Sequence, residues 1–290
     1  MTPTIPVDTS WTFAPAVLLT VAVYGWLYVR RWRTVRRTHG ARGVGVHHLV
    51  LWITGLVLIL VALVSPLDRI SEQLASGHMV QHLILADLVP IALILACTKV
   101  VLRPVTRRVH GVERRAGVLA HPVMGVVAYV GAMWFWHVPV FYDAALRHAG
   151  VHVLEHLTFA AAGFVYWWHL ISPIRSRFRL GGLAPIGYMA STKLLVGALG
   201  VALTFVPRLL YSGYDVDGER WGLTPLNDQH VAGAIMGLEQ SLVMGIGLAW
   251  LFARMLAESD RADEREERAE DARAAAAARA AAGAVDLPGS

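Results

Sequence analysis

Thirteen histidines stand in this chain, and four of them are spaced as chelating pairs are. His78 and His82 lie four residues apart, as do His152 and His156. On an α-helix that spacing stacks two imidazoles one turn apart on the same face, where both can bind one ion. Two such pairs at one depth on different helices would form a four-nitrogen site. Met79, Asp143, Glu155 and Asp228 fall near the same level and are candidates to complete or tune it. Imidazole with a soft Met suits copper, and imidazole with a carboxylate also suits zinc or iron. A single interfacial histidine is more simply explained as a headgroup contact, but two i,i+4 pairs at one level favour a metal. The run His152-Val-Leu-Glu155-His156 also fits H-x-x-E-H, in which two His bind zinc and the Glu serves as general base. That short pattern needs a third ligand, and no downstream residue stands out, so a membrane zinc protease is the lesser alternative.

The elements that position these residues are apolar. Hydrophobic residues make up 56% of the 290, charged residues only 16%, and the mean hydropathy is +0.50. One soluble core cannot hide that much apolar surface, so part of it must face a lipid bilayer. Crossing the hydrocarbon takes about 20 mostly apolar residues. Seven stretches qualify, at Phe13 to Val29, His47 to Val64, His78 to Cys97, His121 to His137, His152 to Ile171, Pro185 to Val206 and His230 to Leu256. The expected fold is all-α, a polytopic membrane protein of seven transmembrane helices over residues 1–257, followed by a charged cytoplasmic tail over 258–290 that is helical and then disordered.

Arginine and lysine set the orientation, because cytoplasmic loops carry the excess. The first, third and fifth connections hold six, six and three, whereas the N-terminal tail and the second, fourth and sixth connections hold none, one, one and two. This alternation predicts an N-terminus outside and a C-terminus inside. The first stretch lacks a preceding positive segment and reads as a retained span. The net charge of +5 and pI near 9.6 therefore report topology, not nucleic acid. Cys97 is the only cysteine, which excludes an intrachain disulfide, a CxxC redox pair and a Cys-rich zinc site.

On this topology seven histidines reach the outer boundary: His78, His82, His137, His148, His152, His156 and His230. His47, His48, His121 and His169 are scattered at the inner ends and read as interfacial residues. Asp87, Lys193 and Glu239 fall within spans, Asp87 and Glu239 roughly 13 Å from the outer ends at 1.5 Å per residue. The simplest expectation for these intramembrane charges is an ion pair tying the third, sixth and seventh spans, with a proton or ion path as the alternative.

Several stretches, in order, carry a resemblance: Ser65-Pro-Leu-Asp68; Gly77-His78-Met79-Val80-Gln81-His82; Trp136-His137-x-Pro139 with Tyr142-Asp143-x-Ala145-Leu146; His152-x-x-Glu155-His156 with Trp167-Trp168; and Leu223-Thr224-Pro225-Leu226 with Asp228-Gln229. From the second to the seventh span the chain resembles the seven-span CtaG family of bacterial cytochrome c oxidase assembly factors. The seventh span departs from the usual pattern, with Ala232-Gly233 and Met236-Gly237 where Gly-Gly and Met-Trp are common.

The resemblance implies a non-enzymatic protein of the bacterial cell (plasma) membrane that helps mature a haem-copper oxidase by handling copper at the outer face, with oxidase subunits as partners. It carries over His78, Met79, His82, His137, His152, Glu155 and His156 as metal-site positions. Asp228 matches without an assigned role; Asp143, Asp228 and His230 are possible outer-face support. A haem-binding membrane protein, with axial histidines from two spans, is the alternative from another class.

Overall fold

The computed structural model describes residues 3–174, 176–178 and 180–285. Among them regular structure is helical, apart from two isolated β-bridges, Thr4 with Glu219 and Arg220 with Leu223. Every expected apolar stretch becomes a helix: α1 (Pro15–Gly43), α2 (Val46–Leu63), α4 (Ala75–Leu83) running through a π-helical turn at Ile84–Leu88 into α5 (Val89–Leu95), α7 (Pro122–Trp136), α9 (Ala149–Ile171), α10 (Ala184–Phe205) and α11 (Pro225–Val285). The shorter α3 (Pro66–Ser71) and α8 (Pro139–Arg147), and the basic α6 (Lys99–Ala116), lie in the connections.

Among the described residues four helical runs are long and apolar enough to cross a membrane: Val46–Leu63, Ala75–Leu95, Ala184–Phe205 and Pro225–Ala276. A fifth arises if Lys99–Ala120 and Pro122–Trp136, bent by 71° at their junction, count as one span. The chain is thus a helical membrane protein. The remaining expected spans fall short for identifiable reasons. At 15 residues, α7 is only about 22 Å long by the helical rise. The interior of α9 is interrupted by His152, Glu155 and His156, and the second half of α1 is basic from Arg30 onward.

The chain divides into two compact units, Met1–Met244 and Gly245–Ser290. Described residues of the second are the later part of α11, where Arg268 and Glu264 form an i,i+4 ion pair at 2.9 Å. The tail over 258–290 was expected to be helical and then disordered; residues 286–290, and Arg175 and Arg179 of the fifth connection, lie outside the described residues.

The first unit exposes large apolar side chains and buries polar ones among its apolar core. Leu157, Leu194 and Phe205 are exposed, whereas His78, Gln81, Glu155, Thr192 and Gln229 are fully buried. In lipid this inversion is expected, since apolar side chains gain nothing by leaving hydrocarbon while polar ones must find partners within the bundle. Gln81 illustrates it, donating to the Ala62 carbonyl at 2.7 Å and to Asp68 at 3.1 Å, which ties α4 to α2 and α3.

At the centre stands α9, packed on α7, α8, α5 and the π-helical turn. Pro90 has no N–H to offer the Ala86 carbonyl four residues back, and its ring crowds that position. The helix widens there, and the Val89 N–H donates instead to Ile84, five residues back. The Ala86 carbonyl meets α9 at Gly163, where any Cβ would overlap that carbonyl. Asp87, on the same turn, is buried and accepts from Tyr129 Oη of α7 at 2.6 Å and Trp167 Nε1 of α9 at 2.7 Å. This corrects the expected ion pair: among the described residues no cation pairs with Asp87 or Glu239, and Lys193 is half-buried without an ion-pair partner. Neutral phenol and indole donors satisfy the Asp87 carboxyl, and the Gln240 amide donates to Glu239 at 2.7 Å.

The end of the unit that bears His78 is held by the segment joining α10 to α11. Tyr214 donates to the Ser71 carbonyl at 2.7 Å and Arg220 to that of Gln73 at 2.9 Å, while Ile5 N–H donates to Glu219 at 2.8 Å. Asp228, near the start of α11, accepts from the first N–H groups of α4, Ala75 at 2.5 Å and Ser76 at 3.2 Å, and from Ser76 Oγ at 2.5 Å. It is a helix cap supplied from another helix.

Two outcomes follow from these contacts. Gly163→Val sets a side chain against backbone, which cannot rotate away, and should destabilise the protein by about 1–3 kcal/mol; an unchanged melting temperature in detergent contradicts the close approach. Asp228→Ala strips the cap from α4 and should cost about 1–2 kcal/mol, with Asp228→Asn recovering part of it in the same melting assay.

Candidate metal centre

The two histidine pairs face each other. On α4 the rings of His78 and His82 lie 4.1 Å apart, and on α9 those of His152 and His156 lie 4.2 Å apart. Between helices, His78 lies 5.3 Å from His152, near parallel to it, and His82 lies 5.6 Å from His156. Glu155 sits between the helices, fully buried, with Oε2 3.5 Å from His78 Nε2 and Oε1 3.6 Å from His82 Nε2. These separations are too long for good hydrogen bonds. Phe159, 4.3 Å from His82, and Tyr142, 5.0 Å from His78, wall the cluster.

His137 joins from the C-terminal end of α7, its ring 6.4 Å from that of His82. Its Nδ1 is 2.6 Å from the Met133 carbonyl. A carbonyl only accepts, so Nδ1 carries the hydrogen and Nε2 keeps its lone pair. A second hydrogen bond of this kind orients metal-binding imidazoles generally.

The donor atoms are buried and unmatched. Among the described residues, both ring nitrogens of His78 and His82, Nε2 of His137, His152 and His156, and both oxygens of Glu155 have no hydrogen-bond partner. Leaving so many polar atoms buried and unpaired is costly, and a cation at the centre of a ring of lone pairs would remove that cost. Two groups of donor atoms lie within 4.8 Å of one another, His78, His82 and Glu155, and His152, Glu155 and His156. The expected single four-nitrogen arrangement is therefore divided, with Glu155 common to both halves. Imidazoles with one carboxylate form a donor set suited to copper, zinc or iron.

Other sequence candidates lie elsewhere. Met79 is buried, but its position one residue past His78 turns it about 100° around the helix from the histidine row. Asp143 accepts from Ser212 Oγ at 2.5 Å and from Gly213 N–H at 3.1 Å, and pairs with Arg147 at 3.3 Å. Asp228 caps α4, and His230 Nε2 lies 2.9 Å from the Val206 carbonyl. All three thus support the histidine-bearing end through partners other than the histidines. His148 is exposed. Sequence reasoning did not identify Phe159 as a wall of the cluster, although its place three residues after His156 puts it on the same face of α9. It also missed Tyr129, whose hydroxyl carried no spacing signal.

Comparison with known proteins places this architecture. The chain is 26% identical to the Mycobacterium leprae (strain TN) protein ML1998 over 268 residues, covering 87% of this chain and 40% of that protein. It is 24% identical to the Mycobacterium bovis protein Mb0105 over 249 residues, covering 80% and 37%. The chain thus spans about two-fifths of the length of the curated relatives it matches. No solved structure matches it. The family model for the cytochrome c oxidase caa3 assembly factor covers residues 26–258, a stretch holding the whole histidine–glutamate cluster and the helices that frame it, and the chain belongs to that family.

Proposed function

We propose that the chain binds copper among its outer histidines and passes it to a subunit of a haem-copper oxidase docked beside it in the bacterial plasma membrane. The observation that carries this reading is the convergence of two imidazole pairs on Glu155, with lone pairs buried and unmatched. Family membership supplies the assembly role, and the donor set supplies the cargo. In this reading copper is substrate, held by His78, His82, His152, His156 and Glu155, with His137 in reach. A relay must release what it binds, so open coordination suits it better than a closed cage.

The geometry favours copper handling over the two alternatives. Glu155 stands between the facing pairs, 3.5 Å from His78 and 3.6 Å from His82, in the space a flat macrocycle would need between them. A metalloprotease would need Glu155 free to act on a water, whereas here it is fully buried between two imidazoles.

The accompanying topology is seven spans, formed by α1, α2, α4 with α5, α7, α9, α10 and the first part of α11, with the histidine end outside. The asymmetry of Arg and Lys between alternate connections supports it. Alkaline phosphatase fused after Arg147 should be active and green fluorescent protein fused after residue 257 should fluoresce; the opposite pattern would invert the orientation.

Replacing His78 and His152 together by alanine should lower copper affinity ~10–100-fold or more. Assembled oxidase in the host membrane, read from its haem spectrum and turnover, should fall with it, while the amount of this protein in the membrane stays the same. Normal oxidase in that double variant would sink the proposal.

A further inference from the structure

We infer that the cluster holds two metal ions bridged by Glu155, one against His78 and His82 on α4 and the other against His152 and His156 on α9. The inference rests on the metal-binding reading above and specifies how many ions the site takes and how they are joined.

The grouping of the donor atoms carries it. A single tetrahedral ion with nitrogens at about 2.0–2.1 Å brings its ligand atoms within roughly 3.5 Å of one another. Four histidines serving one such ion would form one compact group. Among the described residues they form two groups of three instead, each with all donor atoms within 4.8 Å, and each imidazole pair shares only Glu155 with the other. A carboxylate has two oxygens, and carboxylate-bridged ions commonly stand about 3.5–4 Å apart. Its negative charge also offsets the repulsion between two cations in a setting where water cannot screen it.

The two positions are not equivalent. His78, His82 and Glu155 are all buried, whereas His152 is only partly so. His137 Nε2, unmatched and on the His82 side, gives the α4 position a further donor. The α4 ion is therefore the more enclosed, and the α9 ion the one that exchanges first.

The experiment is a Cu(II) titration of the detergent-purified full chain, with elemental analysis after desalting and electron paramagnetic resonance at each step. Wild type should retain two copper ions per chain and, at the second equivalent, develop a half-field signal from a coupled pair. The His152→Ala/His156→Ala variant should retain one copper, a twofold loss, with an isolated signal. Glu155→Gln should abolish the half-field signal. A dilute chelator should remove one of the two wild-type coppers before the other.

Saturation at one copper per chain overturns the two-ion inference and leaves the metal-binding reading standing. Two coppers without magnetic coupling overturn the bridge. No retained copper in wild type overturns both readings. Since stoichiometry and coupling are read on the unmodified protein, a variant that fails to fold does not decide the outcome.

Discussion

Two parallel-running helices meet where one has lost its side chain. Gly163 of α9 lies against the Ala86 carbonyl of the π-helical turn, and eight residues earlier on each helix stand Glu155 and His78. Equal steps along both chains mean that the approach at Gly163 and Ala86 sets the height of Glu155 against the histidine pair of α4. The separation of the two helices, and thus the reach between imidazoles and carboxylate, is limited by how closely their backbones pass at that point. Asp87, received by Trp167 from the same helix and Tyr129 from α7, locks this register with directed hydrogen bonds.

The bilayer explains why the interior takes this form. With lipid tails outside, nothing is gained by burying leucine against leucine, and cohesion falls to close packing and to polar groups that have no alternative partner. Gln81, Asp87 and Asp228 each satisfy groups on other helices, and each connects elements that carry the histidines. The cluster differs from these knots. Its polar atoms are as deeply buried, yet they remain unmatched among the described residues. Satisfied networks hold the scaffold rigid, and the unsatisfied one is the place left for chemistry.

Much of the cluster was legible in the sequence because its signal is local. An i,i+4 pair of histidines declares a common helical face without tertiary information, and each of seven apolar stretches produced a helix. What was not legible depended on contacts between distant elements. Lys193 was expected to neutralise Asp87 because opposite charges at one depth invite pairing, but azimuth around a helix decides contact, and depth alone does not report it. The same limit applied to Asp228, whose cap on α4 spans 153 residues of sequence. Glu155 was recognised beside its own pair, whereas its position between both pairs follows from the packing of α9 on the π-helical turn and α5 that continue α4. The widening of the third apolar stretch beside Pro90 was likewise not read from the sequence, where His78 to Cys97 stood as one span.

That widening has a consequence for the azimuth of everything before it. A π-helical turn spends one more residue per revolution than an α-helical one, so it resets the phase of the screw. The face of α4 that carries His78 and His82 is offset from the face that α5 turns toward α2 and α9. In an unbroken α-helix those two faces would share a single register, and the imidazoles would be turned by about 100°, one residue's rotation, away from Glu155. The extra residue works as an indexing notch: it lets one helix address the bundle interior with one side and the Glu155 carboxylate with another.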